Sequence, residues 1–162
     1  MRAIVFTLQD RLFALPLEEV REVARPQPFS EVPRAPRALL GAISLRGRVL
    51  AVLAPEVLFG LSALPCPGDG SAERFVVLDF GTSALALRVA RVDSIQELTL
   101  LGDDGEEAGG GGREGDATPA RLTRGRARTP SGEEIRVLDL DALTDTLDDA
   151  LRQDQKIFGG LP

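Results

Sequence analysis

Residues 6–23 read FTLQDRLFALPLEEVREV, and 72 positions further on residues 78–95 read LDFGTSALALRVARVDSI. Laid over one another without a gap, the apolar positions coincide. Phe6, Leu8, Phe13, Leu15, Leu17, Val20 and Val23 meet Leu78, Phe80, Leu85, Leu87, Val89, Val92 and Ile95. Each copy is two short apolar runs around a polar break, which is the pattern of a β-hairpin. Pro16 then ends or edges its strand, because it has no N–H for a ladder. A second correspondence lies downstream at an offset of 85, where Gly47, Val52 and Leu53 meet Gly132, Val137 and Leu138. In both places a strand runs into a Leu-bearing helix: Pro55 suits the first turn of one. Leu140, Leu143, Leu147 and Leu151 form one face of the other, with Asp139 or Asp141 as its cap. The chain therefore reads as mainly β, two similar units in tandem that pack on each other. Subdomain one covers about 1–60, a Pro/Gly linker 61–72, and subdomain two about 73–152. Units of about 70 residues are marginal alone, so a shared interface is physically sensible.

Composition narrows the chemistry. The 162 residues contain no His, Trp or Tyr and a single Cys, Cys66. Without His, neither a Ser-His-Asp nor a Cys-His arrangement can form, and no imidazole is available to a metal. One thiol forms no intrachain disulfide, which fits a reducing cytosol. No apolar run approaches the ~18 residues of a membrane span, and the apolar start at Met1 is cut short by Gln9, Asp10 and Arg11. The expectation is a soluble cytoplasmic protein without catalysis, cofactor or metal. Net charge is −6, but residues 102–117 (GDDGEEAGGGGREGDA) hold six acids and one Arg, leaving only −1 for the rest. Seven Gly and no large apolar side chain mark this segment as a disordered loop.

Three phrases then carry a resemblance. They are Phe13-Ala14-Leu15-Pro16-Leu17 with Val20-Arg21-Glu22-Val23; Gly41-Ala42-Ile43-Ser44-Leu45-Arg46-Gly47-Arg48-Val49; and Val137-Leu138-Asp139-Leu140-Asp141-Ala142-Leu143. In these the chain resembles the CheW-type chemotaxis adaptors, over residues 3–100 and 120–150. It departs from the family pattern at Ser44, where Asn is usual, and in the acidic insertion before Gly125. The resemblance implies two tandem SH3-like five-stranded β-barrels packed together, with short helices and a C-terminal helix. It further implies a non-catalytic adaptor coupling the signalling tips of methyl-accepting chemoreceptors to the regulatory domain of a CheA-type histidine kinase, cytoplasmic and recruited to receptor arrays. Carried over by position, the receptor-binding residues are Arg46, Glu22, Val20 and Ser44, while Leu45 reads as core.

Other clusters are weighed against blander explanations. Arg121, Arg124, Arg126 and Arg128 supply the one alternative function, a small β-barrel binding nucleic acid through phosphates. No aromatic residue is interleaved for base stacking, so a solvated strand face, partly neutralised by the adjacent acidic loop, is the simpler reading, and no nucleic-acid partner is expected. Asp139, Asp141, Asp145, Asp148 and Asp149 follow helical spacing opposite the Leu stripe, which is a solvated face and not a metal site. Cys66, between two prolines, needs no role. One consequence is testable from sequence alone. Replacing residues 102–117 by a short Gly/Ser link changes loop-closure entropy by only ~0.6 kcal/mol per doubling of length. The shortened chain is expected to keep one cooperative thermal transition within a few degrees of the parent, measured by circular dichroism.

Overall fold

The computed structural model describes residues 1–9, 11–59, 72–80, 83–101 and 122–158. In chain order the strands are β1 (Arg2–Leu8), β2 (Arg11–Pro16), β3 (Val20–Ala24), β4 (Leu39–Leu45), β5 (Arg48–Leu53), β6 (Arg74–Phe80), β7 (Ser83–Val89), β8 (Arg91–Glu97), β9 (Thr99–Leu100), β10 (Thr123–Arg128) and β11 (Glu134–Leu138). A 3₁₀ turn, Leu17–Glu19, precedes β3; helix α1 (Pro55–Leu58) follows β5 and helix α2 (Leu140–Phe158) follows β11. The chain is mainly β, as expected. The acidic run 102–117, Cys66, Arg121 and all but one residue of the expected linker lie outside the described residues.

Two sheets form, with strand orders β8-β1-β2-β11-β10-β9 and β3-β6-β7-β5-β4. The sequence repeat is visible in them, because β6-β7-β8 begin 72, 72 and 71 residues after β1-β2-β3. The order also shows how the copies are shared. Each repeat places its first hairpin in one sheet and its remaining strands in the other, so β3 pairs with β6 and β8 pairs with β1. The exchange is completed by two matched parallel pairings, β11 on β2 and β5 on β7. Both sheets thus take strands from either side of residues 61–72.

Burial explains the arrangement. Within β1, Ala3 and Val5 face the interior of the first sheet with Ala14, Leu98, Ala127, Ile135 and Val137. Ile4, Phe6 and Leu8, on the opposite face, join a larger core with Phe13, Leu15, Val76, Leu78, Leu85, Leu87 and Val89. The second sheet repeats the pattern, with Phe75, Val77 and Ala86 facing its own interior beside Ile43, Leu50 and Val52. Strands of the two hairpins are therefore buried on both sides, which is why they read as near-continuous apolar runs instead of strict alternations. Phe13 stacks between Phe6 and Phe59, with ring centroids 6.4 and 5.3 Å away. Leu140, Leu143 and Leu147 bring α2 onto this shared core, and Asp139 caps the helix by accepting from the Ala142 N–H at 3.2 Å. Asp141, Asp145, Asp148 and Asp149 face solvent.

The first sheet has six strands where five are expected. The extra one arises because Leu98 turns inward, 2% exposed, and splits one edge into β8 and β9. Its N–H donates to the Met1 carbonyl at 2.7 Å. The chain then crosses from β1 to β10, where Thr99 and Leu100 pair with Arg128 and Ala127, and so closes the roll.

One polar group is fully enclosed. Arg88 on β7 is 2% exposed, and its guanidinium lies 3.9 Å from the carboxylate of Glu56 on α1 and 3.6 Å from that of Glu73. Burial pushes the Glu73 carboxyl above its ordinary value; Arg88 opposes the shift and Glu56 adds to it. A folded-state value raised above the unfolded one gives a contribution that is complete below the unfolded value and is lost as pH rises through the folded value. Arg88→Met removes the opposing cation and widens that window upward. It is expected to cost ~3–5 kcal/mol near neutrality, the usual cost of breaking a buried ion pair, and clearly less near pH 5. Adding Glu73→Gln should recover part of the loss, both read by urea unfolding at the two pH values.

Candidate functional site

The register of β4 on β5 pairs Leu45 with Arg48 and leaves Arg46 and Gly47 as a two-residue loop. Their φ values are 52° and 80°, so both take the left-handed conformation that this class of tight hairpin turn requires. Gly adopts it freely. For Arg it costs ~1–2 kcal/mol, and Asn or Gly is the usual occupant. Arg46 is 77% exposed and places its Nε 3.2 Å from a carboxylate oxygen of Glu22. Exposed pairs of this kind contribute between about 0 and 1 kcal/mol, so the pair does not explain why Arg stands at a strained position. Gln9 and Arg34 share this backbone conformation, with φ of 46° and 60°, but Arg46 alone of the three carries it at the β4–β5 turn.

Glu22 stands on β3, at one end of the second sheet, and Arg46 at the tip of β4, at the other end. Their ion pair crosses the seam where this sheet rolls up. Two further contacts cross the same seam. Gln27 donates from Nε2 to the Ser44 carbonyl at 3.2 Å, and Ser30 and Ala42 exchange backbone hydrogen bonds of 2.9 and 2.8 Å. The Pro-rich arm between β3 and β4 is thus laid along the β4 edge.

Of the four residues expected to bind a partner, the structure brings three together at this seam: Arg46, Glu22 and Ser44. Ser44 is exposed beside the tip. Val20 stands apart, half-buried against the shared core. Leu45 packs on the interior of the second sheet, as its reading as core required. Two residues of the seam were not singled out in the sequence. One is Gln27; the other is Val49, which pairs with Ser44 across the ladder and is 75% exposed. Alternation held the clue to Val49, since Leu50 and Val52 point inward and leave this large apolar side chain facing out. Charge adds a third property. Residues 20–50 hold six Arg and two Glu, a net +4 in a chain of −6.

The Arg cluster of β10 is arranged otherwise. Arg124 pairs with Glu19 at 2.8 Å, while Arg126 and Arg128 share Glu134 at 3.1 and 3.5 Å. No group of three or more potential ligands that could hold a metal ion is found among the described residues. No helix there is long and apolar enough to cross a membrane.

Gly41 determines how closely the arm approaches. A Cβ at this position would press on the Ser30 carbonyl oxygen and lie 2.8 Å from Cδ2 of Phe29. That carbonyl is held by the Ala42 N–H and cannot retreat without losing the bond. Gly41→Ala is therefore expected to destabilise by ~1–3 kcal/mol, the cost of overpacking. The melting temperature should fall by several degrees, and the arm at 25–38 should be cut faster by a protease.

Known proteins resemble this chain in sequence and in fold. Residues 2–148 match the profile of the CheW-like domain. The chemotaxis protein CheW of Helicobacter pylori (strain ATCC 700392 / 26695) is 32% identical over 63 residues, which is 39% of this chain and 38% of that protein. The alignment thus spans well under half of the relative's length. The crystal structure of the scaffolding protein TtCheW from Thermoanaerobacter tengcongensis superposes with a TM-score of 0.68 at 19% identity, covering 86% of this chain and 88% of that one. At such an identity the likeness is one of fold, two packed SH3-like barrels. With a profile match over nearly the whole length and the same architecture, the chain belongs to the CheW-like domain family.

Proposed function

We propose that this protein is a non-catalytic cytoplasmic adaptor that couples the signalling tips of chemoreceptors to a CheA-type histidine kinase. The observation that carries the reading is Arg46, held in a strained turn at the seam of the second barrel with its guanidinium exposed. A receptor tip is helical, and helix surfaces and C-terminal carbonyls offer acceptors that suit the five-donor guanidinium fork. Val49, next but two along the chain, offers an apolar contact beside it. The net +4 of residues 20–50 favours a partner surface rich in carboxylates. Glu22 orients the Arg46 side chain, and Ser44 offers a small polar neighbour. Val20 acts from beneath, through the packing of β3. The solved protein that shares this fold is described as a scaffolding protein, which supports an adaptor without chemistry of its own.

The test separates binding from folding. Arg46→Asn keeps a residue that favours the left-handed turn and removes the guanidinium. Its melting temperature should equal or exceed that of the parent, because the turn is relieved of ~1 kcal/mol or more of strain. Its affinity for a soluble coiled-coil fragment of a receptor signalling tip should fall at least about tenfold, the effect of losing a central interface Arg. Titration calorimetry on the parent and the variant reads both. Parent-like binding by Arg46→Asn would remove Arg46 from the receptor site.

A further inference from the structure

Charge is divided unevenly along this chain. Residues 20–50 hold six Arg and two Glu, while residues 102–117 hold six acids and one Arg. Three Arg of the first group flank contacts that cross the seam of the second barrel. Arg21 adjoins Glu22, Arg25 lies two residues before Gln27, and Arg48 follows the Arg46–Gly47 turn. All three are exposed and form no ion pair among the described residues. The Arg row of β10 is served differently, since Arg124 meets Glu19, and Arg126 and Arg128 meet Glu134. The connection also favours the seam. Leu122 lies eight residues after Glu114, a reach of about 27 Å in extended chain. From Leu122, Arg21 is four residues of chain and one ion pair away, through Arg124 and its 2.8 Å contact with Glu19.

We propose that the acidic run 102–117 is the resident occupant of the Arg21, Arg25 and Arg48 surface, where it competes with the receptor. The competition rests on the adaptor reading; the contact itself rests on charge and reach. Carboxylates bind guanidinium groups through paired hydrogen bonds, and these three have no acid of their own among the described residues. A tethered segment acts at an effective concentration on the order of mM. A contact too weak to detect between separate molecules therefore still fills much of the surface. The run brings nothing larger than Ala108 and Ala117 to Val49, which is 75% exposed beside the tip. A partner displaces it by offering carboxylates together with an apolar side chain. Surfaces that are merely acidic meet a competitor of their own kind, which sharpens the choice of partner.

The experiment compares the full chain with a variant of equal length whose run is stripped of acids. Its substitutions are Asp103→Asn, Asp104→Asn, Glu106→Gln, Glu107→Gln, Glu114→Gln and Asp116→Asn. Nitrogen-15 NMR spectra of both are recorded at about 10 mM and about 1 M salt, between which the screening length falls from about 30 to about 3 Å. Backbone and guanidinium signals of Arg21, Arg25, Gly47 and Arg48 should differ between the two chains at low salt and coincide at high salt. With Arg21→Gln, Arg25→Gln and Arg48→Gln added to both chains, the Gly47 difference should vanish. At low salt the neutral-run variant should bind a receptor signalling-tip fragment at least about threefold more tightly than the parent, as release of a tethered competitor requires. Signals that differ only in residues 100–101 and 122–128 would place the run on β10 and overturn the proposal. So would identical spectra, equal receptor affinities, or differences that grow with protein concentration, which would assign the contact to a second copy. Differences at the seam with no receptor binding by either chain would uphold the contact and overturn the adaptor reading.

Discussion

Four strands of this protein are packed on both faces along most of their described length. β1, β2, β6 and β7 lie between the interior of their own barrel and the core shared by both. Everything else follows from having to cover both sides of two hairpins. A single repeat has five or six strands and one helix, too little to do this alone. Exchange solves the problem, since each hairpin is flanked by the other repeat's third strand on one edge and its fifth strand on the other. Closing each roll then falls to peripheral pieces, Leu98 with β9 in the first barrel and Ser30 on the Pro-rich arm in the second. Because the arm lies outside the central packing, its sequence answers to the seam and not to the core.

That separation explains where strain and charge are tolerated. The buried side of the second barrel admits one ionic group, Arg88 with Glu56 and Glu73, which ties α1 and the start of β6 to β7. Such a group seldom adds net stability over an apolar replacement, but removing one member is costly. On the outside, the left-handed Arg46 and the opposed pair Arg126 and Arg136 both sit at hairpins of the same type, fourth strand to fifth, one in each barrel. Duplicated positions have taken different chemistry: a single exposed guanidinium on an acid in one, a row of them in the other.

Much of this was legible in the residues. The offset of 72 located both hairpins, Pro55 marked a helix start, and the Leu stripe and Asp139 placed α2. Which copy pairs with which was not legible, because a repeat states that two segments are alike and is silent on their partners. Arg46 was readable as a hairpin tip from Gly47, but its own left-handed backbone was not, since Arg is a poor signal for that conformation. The Glu22–Arg46 contact joins residues far apart in sequence across a seam that exists only after the sheet has rolled. Arg88 was hidden for another reason. ALALRV reads as a strand with a charged end, and only the fold shows that this position lies inside a barrel, in phase with Ala86.

The strand order also fixes a timetable for synthesis. All five strands of the second sheet lie within residues 20–89, whereas the first sheet needs β1 and β2 from the start of the chain and β8 to β11 from beyond residue 90. As the polypeptide leaves the ribosome, one barrel can therefore close while the leading hairpin still waits for its neighbours. Throughout that interval Ala3, Val5 and Ala14, and the edge of β2 that will receive β11, are open to any other β-edge nearby. The hazard is set by connectivity alone, and faster closure of the early barrel does not shorten it. It ends only when β11, the last of the described strands in chain order, docks in parallel beside β2.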